Sequence, residues 1–174
     1  MRDSMRQRSY DWENDLFGLG LKTKKLEKHE VEPMVAKFEK LVLDRIERLY
    51  GVEKKASCAV TLRSGGRWAR GGWMGVSLPP WSWNPEIIAH EVAHWAEKIE
   101  VQFRDYRMKD AADPGHGRHW LGWYIFLLAE GCGHQRIRMC RSASFYGLKI
   151  APKDITTMDV LERLSKRKVL SAVA

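Results

Sequence analysis

The clearest periodic pattern in the chain lies between residues 31 and 50, where apolar side chains recur every three or four positions. This spacing places them on one face of an α-helix and leaves charged residues on the other. Pro33 is compatible with a first helical turn, and Gly51 is a typical stop. The pattern predicts an amphipathic helix whose buried face carries Val31, Met34, Val35, Phe38, Leu41, Val42, Ile46 and Leu49.

Two short stretches after this helix have the composition of β-strands. Residues 56–63 are rich in β-branched and small apolar side chains, and residues 73–78 alternate in the way that a strand does. The segment RSGGRWARGG between them has the glycine content of turns. This order predicts a small antiparallel sheet.

A second helical region begins at Asn84-Pro85-Glu86, which supplies an N-cap residue, a proline at the first helical position and an acidic first turn. This helix is expected to reach about Glu100. A loop follows, and a further helix is expected from about His116 to Ala129, ending at Gly131. The order of elements is therefore a helix, a small sheet and two helices.

The tail is the least patterned part of the chain and the most basic. It is expected to be irregular or β to about residue 152 and helical at 156–167. Residues 131–174 contain 9 Lys and Arg but 3 Asp and Glu, so they supply most of the net charge of +8. The tail is either a solvated basic segment or a surface for nucleic acid, because clustered cations gain affinity by releasing counterions from phosphates.

Length and composition indicate one α+β domain. A chain of 174 residues with 44% hydrophobic and 30% charged residues can bury a core and keep a polar surface. We divide it into a polar N-terminal arm at 1–30, a core at 31–130 and a basic extension of the same domain at 131–174. The sequence shows no signal-peptide core, no apolar run long enough for a bilayer and only three widely spaced cysteines. These features predict a cytoplasmic protein with no membrane partner.

The segment His90-Glu91-Val92-Ala93-His94 matches the HExxH pattern of zinc hydrolases. Histidines at i and i+4 share one helix face, so both imidazoles can bind one zinc ion. Glu91 lies beside them, where it can take a proton from a zinc-activated water without binding the metal. The alternative is two surface histidines on an ordinary amphipathic helix, which the apolar stripe on the opposite face of the same helix argues against.

A catalytic zinc ion needs a third protein ligand and one open position. An HExxHxxGxxH site is excluded because positions 97 and 100 are glutamates, and Glu130 is poorly placed at the far end of the next helix. The remaining donors lie in GHGRHW, where His116 is favoured and His119 is the alternative. If His116 binds the metal, His119 is expected to line the substrate cleft or steady the oxyanion, unless it is an ordinary partly buried histidine.

The combination of HEVAH with GHGRHW resembles the SprT-like metallopeptidases, including the Spartan type, whose pattern is HExxH followed by HGxxF or HGxxW. The similarity covers about residues 31–130. It implies a compact zincin core, minigluzincin-like, with an N-terminal helix, a small antiparallel sheet, an active-site helix and a helix that carries the third ligand. It also implies one zinc ion held by His90, His94 and His116, with Glu91 as the general base.

The resemblance further implies substrates that are bound or crosslinked to DNA. Many members of the family follow the core with a zinc ribbon built from CxxC pairs. Only Cys132 and Cys140 lie in that region here, so a second, structural zinc ion is not expected.

In zincins the strand before the active-site helix can pair with an extended peptide. By that analogy the segment Met74–Leu78 is expected to be an edge that binds the substrate backbone, with Met74 and Val76 among the contacting residues.

Two basic groups are candidates for contact with nucleic acid. The first is Arg67, Trp68 and Arg70 in the glycine-rich hairpin, where an exposed indole flanked by arginines can stack on bases. The alternative is that the tryptophan packs into the core and the arginines are merely solvated. The second group is Arg136, Arg138 and Arg141.

The sequence thus favours a zinc-dependent metalloendopeptidase that acts on protein or peptide substrates, with DNA-associated proteins as candidates. The alternatives are a nucleic-acid-binding protein whose zinc site is structural, and a small host-interaction protein whose metal site is inactive or absent.

Overall fold

The computed structural model describes residues 4–18, 23–51, 53, 55–102 and 115–150. These residues form five α-helices and a three-stranded sheet, so the predicted α+β class is confirmed. The helices are α1 (Ser4–Phe17), α2 (Lys28–Tyr50), α3 (Pro85–Glu100), α4 (Arg118–Cys132) and α5 (Arg136–Phe145). The strands are β1 (Ala59–Leu62), β2 (Arg70–Gly72) and β3 (Gly75–Leu78), and a short 3-10 helix at Pro80–Ser82 precedes α3.

Helix α2 confirms the amphipathic helix predicted from periodicity, and it begins three residues earlier than expected. The backbone N–H of Glu27 donates to the Glu30 carboxylate at 2.7 Å, which satisfies a donor at the helix start. Gly51 ends the helix in the left-handed conformation, with φ of 64°, which glycine adopts at no steric cost. Most of the predicted apolar face is buried, with Phe38 and Ile46 fully enclosed, but Leu49 at the end of the helix is 38% exposed.

The sheet is mixed, which corrects the predicted antiparallel sheet. β3 pairs in parallel with β1 and antiparallel with β2, so the strand order is β1-β3-β2. The chain crosses over between β1 and β2, and the β2–β3 hairpin then inserts β3 between them. The alternation of apolar and polar residues along a strand predicts which side chains are buried, but it does not predict which strands pair or in which direction.

The central position of β3 also corrects the expected role of the segment Met74–Leu78. Its backbone groups pair with strands on both sides, so this segment is not a free edge for a peptide. Val76 is 3% exposed and cannot reach a substrate, whereas Met74 lies in the turn before β3 and is 83% exposed. The edge that packs against α3 is β2.

Helices α3 and α4 form the centre of the core. Asn84 caps α3, as predicted, by accepting a hydrogen bond from the Ile87 backbone N–H at 3.0 Å. Helix α3 is buried on most of its surface, and α4 is apolar along nearly its whole length. Polar side chains between such helices need internal partners, because an unpaired buried polar group costs free energy.

Helix α1 belongs to the same core, which differs from the polar arm expected at 1–30. Trp12 is fully buried and Phe17 is 5% exposed. The Trp12 Nε1–H donates to the Ser142 hydroxyl at 3.0 Å, and its ring meets the Tyr124 ring edge-on, with centroids 5.8 Å apart. These contacts fix α1 against α4 and α5.

Helix α5 replaces part of the segment that was expected to be irregular or β. The predicted helix at 156–167 lies outside the described residues. Across the parts of the chain that are described, no helix is both long and apolar enough to cross a membrane.

Candidate metal centre

Three histidine rings converge where α3 faces the start of α4. His90 and His94 lie one turn apart on α3, and His116 lies in the turn just before α4. Their candidate ligand atoms are all within 4.8 Å of one another, and the Nε2 atoms of His90 and His116 are 3.3 Å apart. The group predicted from the two motifs is therefore assembled in space, and it could hold a metal ion.

His119, the alternative third ligand, is not a member of this group among the described residues. His119 lies in the first turn of α4, three residues after His116, and is partly buried. His116 is 7% exposed and faces the pair on α3. The tertiary structure favours the first of the two candidates.

An aromatic wall encloses the histidines. The Trp120 ring stacks on His94 with centroids 5.4 Å apart and meets the rings of His90 and His116 edge-on at 4.8 and 4.7 Å. Its Nε1–H donates to the backbone carbonyl of His90 at 3.3 Å. Burial, reinforced by the positive charge of the two neighbouring histidines, holds the pKa of His94 well below its usual value. His94 is therefore neutral near pH 7, which is the form that binds a metal.

Glu13 of α1 makes the shortest polar contact in the site, and the sequence analysis missed it. Its Oε1 lies 2.6 Å from Nδ1 of His90, and both side chains are buried. The Tyr124 hydroxyl also donates to this carboxylate. Burial lowers the pKa of His90, but the charge and hydrogen bond of Glu13, together with the charge of Glu91, outweigh it, and the pKa of His90 is raised. Because Nδ1 of His90 donates to Glu13, its other ring nitrogen, Nε2, faces the space between the three histidines.

A signal for Glu13 was present in the sequence but weak. Met5, Trp12 and Leu16 recur at helical spacing, and the buried face they define includes Glu13. The surrounding charged residues hide the pattern, since the N-terminal segment 1–30 carries 7 Lys and Arg and 6 Asp and Glu. Nothing in that pattern indicates which histidine the carboxylate meets.

Glu91 is 7% exposed and is oriented by the edge strand β2. The backbone N–H of Gly71 donates to its carboxylate. Burial raises the pKa of Glu91, and the positive charge of the adjacent His90 partly offsets this rise. A buried carboxylate with a raised pKa is a stronger base than one in water, as general-base chemistry requires.

Tyr10 covers the remaining side of the histidines. Its ring stacks near His90 at 6.1 Å and meets His116 edge-on at 5.3 Å. The Arg6 Nε–H donates to the Tyr10 hydroxyl at 3.3 Å, and Arg6 is close enough for its charge to lower the pKa of both His90 and His94. Both residues come from α1, so this helix supplies one wall of the site.

A cavity of about 570 Å³ opens beside His90 and Glu91. It lies between α1, the loop before β2 and the first turn of α3. Its lining consists of Tyr10, Glu13, Phe17, Gly66, Arg67, Trp68, Ala69, Trp81, Glu86, Ile87, His90, Glu91 and Tyr124.

The hairpin residues predicted to contact nucleic acid are on the surface. Trp68 is 56% exposed, so the alternative interpretation, in which this tryptophan packs into the core, is wrong. The Arg67 guanidinium lies 5.8 Å from the centroid of the Trp68 ring, and Arg70 is exposed on β2. The cationic and aromatic groups of the predicted platform therefore occur together.

The second basic group is divided by the structure. Arg138 and Arg141 are exposed on α5. Arg136 instead forms an ion pair with Glu130 and lies 5.7 Å from the centroid of the Phe126 ring, with its side chain 10% exposed. Two of the three predicted arginines are thus available on the surface, and the third is engaged within the protein.

Comparisons of the chain with protein-family models, with curated proteins and with solved structures find no match.

Proposed function

We propose that this protein is a zinc-dependent metalloendopeptidase with His90, His94 and His116 as metal ligands and Glu91 as general base. The observation that carries the proposal is the convergence of three imidazoles from two chain segments beside a buried carboxylate. Residues that are 26 positions apart, His90 and His116, meet with their Nε2 atoms 3.3 Å apart. A structural role for ordinary helix histidines gives no reason for this convergence.

The donor set fits a zinc ion. Three neutral imidazoles and an open fourth position are a common catalytic zinc arrangement, and nitrogens on one tetrahedral zinc at about 2.0–2.1 Å lie roughly 3.3 Å apart. The His90 and His116 nitrogens are 3.3 Å apart, and all three candidate ligand atoms lie within 4.8 Å of one another. Zinc held there would acidify a water molecule and polarise a peptide carbonyl.

Side chains and backbone groups of the protein would transfer the protons of the reaction and orient the groups that do so. Glu91 accepts a proton from the attacking water and returns it to the leaving amine, while the Gly71 N–H keeps the carboxylate in place. Glu13 positions His90 by accepting its Nδ1–H, and Tyr124 positions Glu13. Each of these roles follows from a contact between buried side chains or backbone groups.

The proposed binding edge for the substrate backbone is β2. This strand is the sheet edge next to α3, and the Gly71 amide that reaches Glu91 lies on it. An extended peptide that adds to a sheet edge gains affinity from backbone hydrogen bonds with little dependence on its sequence. We therefore move the proposed substrate edge from Met74–Leu78 to Arg70–Gly72.

The resemblance of HEVAH and GHGRHW to the SprT-like family supports the same proposal and adds DNA-associated proteins as candidate substrates. The exposed Trp68 with Arg67 above it is the observation that favours nucleic acid near the site. A nucleic-acid-binding protein with a structural zinc site is therefore the second candidate function.

The Glu91→Gln substitution tests the proposed function. We expect this variant to bind zinc with unchanged stoichiometry and to lose about 100-fold or more of its peptidase activity on casein, because general-base catalysis commonly contributes that much. The matched control is Glu97→Gln, the same change at another buried glutamate of α3, and it should retain activity.

The outcomes separate the candidates. A wild-type protein that binds zinc but cleaves nothing, and whose Glu91→Gln variant behaves identically, is a structural zinc protein. A protein that binds no metal, and in which His90→Ala changes nothing beyond local stability, fits the host-interaction alternative. Chelator-sensitive cleavage that survives Glu91→Gln would contradict the proposed general base.

A further inference from the structure

We propose that the cavity beside His90 and Glu91 is a specificity pocket for a bulky apolar side chain, aromatic or long aliphatic, of the peptide residue next to the cleaved bond. This inference rests on the proposed peptidase function and adds the substrate class to it. The cavity volume of about 570 Å³ falls within the range of roughly 300–1,000 Å³ that is usual for ligand pockets.

The position of the cavity assigns the pocket to a residue beside the reacting carbonyl. His90 and Glu91 belong to its lining, so its inner end adjoins the proposed metal ligands and the proposed base. Successive residues of an extended peptide are about 3.3 Å apart. A side chain that enters this pocket therefore comes from a residue next to the carbonyl that is attacked.

The walls are aromatic. Trp68 and Trp81 are 56% and 46% exposed, so a large apolar area at the mouth stays in contact with water until a ligand covers it. Ile87 adds an aliphatic surface on the first turn of α3. The aromatic side chains of the lining are Tyr10, Phe17, Trp68, Trp81 and Tyr124.

The charges of the lining do not select an anionic occupant. Three carboxylates, those of Glu13, Glu86 and Glu91, face one cation, Arg67. Glu86 lies 3.1 Å from a nitrogen of His134, and its second oxygen is buried without a hydrogen-bond partner among the described residues. Glu13 is already paired with His90, and the proposed zinc ion would add positive charge at the inner end, so these carboxylates are offset and the apolar walls decide the preference. The pocket therefore suits an apolar peptide side chain.

The mouth of the pocket is held in shape before a ligand arrives. The Trp81 Nε1–H donates to the carbonyl of Gly66 at 2.9 Å, and the Arg63 guanidinium donates to the carbonyl of Trp68. The first bond ties the loop before β2 to the 3-10 helix that precedes α3, and the second holds the segment between β1 and β2 together. A preformed pocket discriminates between side chains without a large ordering cost.

The test uses peptides that differ only at the residue beside the cleaved bond, with Phe, Leu, Ala or Asp there. We expect kcat/KM for the Phe and Leu peptides to exceed that for Ala and Asp by about tenfold or more, since buried apolar groups in such pockets give discrimination of this order. Trp68→Ala should reduce the preference for Phe about tenfold, mainly through KM. Ile87→Trp should fill the pocket and favour the Ala peptide.

The matched control is Trp73→Ala, which removes an indole of similar exposure, 52%, that does not line the pocket. It should leave the preference unchanged. Cleavage without preference for Phe or Leu, or a preference that is indifferent to both Trp68→Ala and Ile87→Trp, would overturn the pocket while the peptidase stands.

Failure of the peptidase is distinguished by direct binding. The same peptides are titrated against the Glu91→Gln protein, and their dissociation constants are measured by calorimetry. If no peptide is cleaved, the proposed function fails; tighter binding of the Phe peptide than the Asp peptide, abolished by Trp68→Ala, would still support the pocket. Equal or undetectable binding of both peptides would overturn it.

Discussion

At the scale of single residues, the site depends on a carboxylate that no motif contains. Glu13 accepts the Nδ1–H of His90 at 2.6 Å and is itself held by the Tyr124 hydroxyl. A carboxylate in this position fixes the tautomer and orientation of a metal-binding histidine and raises its basicity. The HExxH motif supplies two of the candidate ligand atoms, and α1 supplies the carboxylate that orients one of them.

Replacing Glu13 with glutamine should weaken zinc binding about 10- to 100-fold, because the hydrogen bond from His90 loses its charged acceptor. Glu13→Ala should weaken it at least as much. The dissociation constants would be measured by competition with a chromogenic chelator, and Co²⁺ spectra would report the ligand geometry. Asp11→Asn, a change to an exposed carboxylate of the same helix, is the control and should have no effect. Equal affinity in all variants would remove Glu13 from the site.

Zinc affinity should fall as the pH falls, and the decline should begin above the ordinary histidine pKa of 6.5. Protons compete with the metal for imidazole nitrogens, and the raised pKa of His90 means that this ligand holds its proton to a higher pH than usual. Because the pKa of His90 is raised, acidification protonates this ligand early and zinc affinity is lost. Zinc dissociation constants measured from pH 5.5 to 8 would test this, and a constant affinity over that range would contradict it.

At the scale of secondary structure elements, the close approach of β2 to α3 brings the proposed base and the substrate edge together. A methyl group on Gly71 would overlap the backbone carbonyl of Glu91, whereas one on Gly72 would meet nothing within 4 Å. Gly71 is therefore required for packing and not for an unusual backbone conformation. The glycines that the sequence assigned to turns include one at the contact between β2 and α3.

Gly71→Ala should lower the free energy of unfolding by about 1–3 kcal/mol, the usual cost of forcing an extra methyl group into a packed contact. It should also reduce peptidase activity, because β2 must move away from Glu91. Chemical denaturation and a casein assay would measure the two effects. Gly72→Ala, one residue along the same strand, should leave both near wild type. If the two variants behave alike, the close contact of Gly71 with α3 is not important.

At the scale of the whole molecule, the core includes a helix that precedes the histidine motifs in the sequence, α1, and one that follows them, α5. Helix α1 contacts α5 through Trp12 and Ser142, and the same helix lines the candidate metal site. The exposed arginines of α5 and those of the hairpin form two separate basic groups. Their distribution, rather than the net charge, determines where a polyanion would bind.

If DNA binds to α5, the double substitution Arg138→Glu and Arg141→Glu should reduce the salt dependence of binding. We expect the slope of the logarithm of the binding constant against the logarithm of salt concentration to fall by about 1–2, since each lost phosphate contact removes roughly 0.7–0.9. Fluorescence anisotropy with a labelled single strand would measure it, and Lys28→Glu, on the exposed start of α2, is the control. An unchanged slope would direct attention to Arg67 and Arg70.

The sequence by itself determined the features that depend on neighbours along the chain. Asn84 and Pro85 determined where α3 begins, helical spacing determined that His90 and His94 share a face, and apolar periodicity determined α2. These features are local because backbone propensity and side-chain spacing act over a few residues. The GHGRHW segment limited the third ligand to His116 or His119 without deciding between them.

Only the tertiary structure decided what residues far apart in sequence do together. It placed His116 rather than His119 beside the pair on α3, brought Glu13 to His90 across 77 positions, and inserted β3 between β1 and β2. It also turned a polar N-terminal segment into a wall of the site. Such contacts depend on how buried faces pack against one another, and a short-range pattern of apolar residues reports that a face is buried but not what covers it.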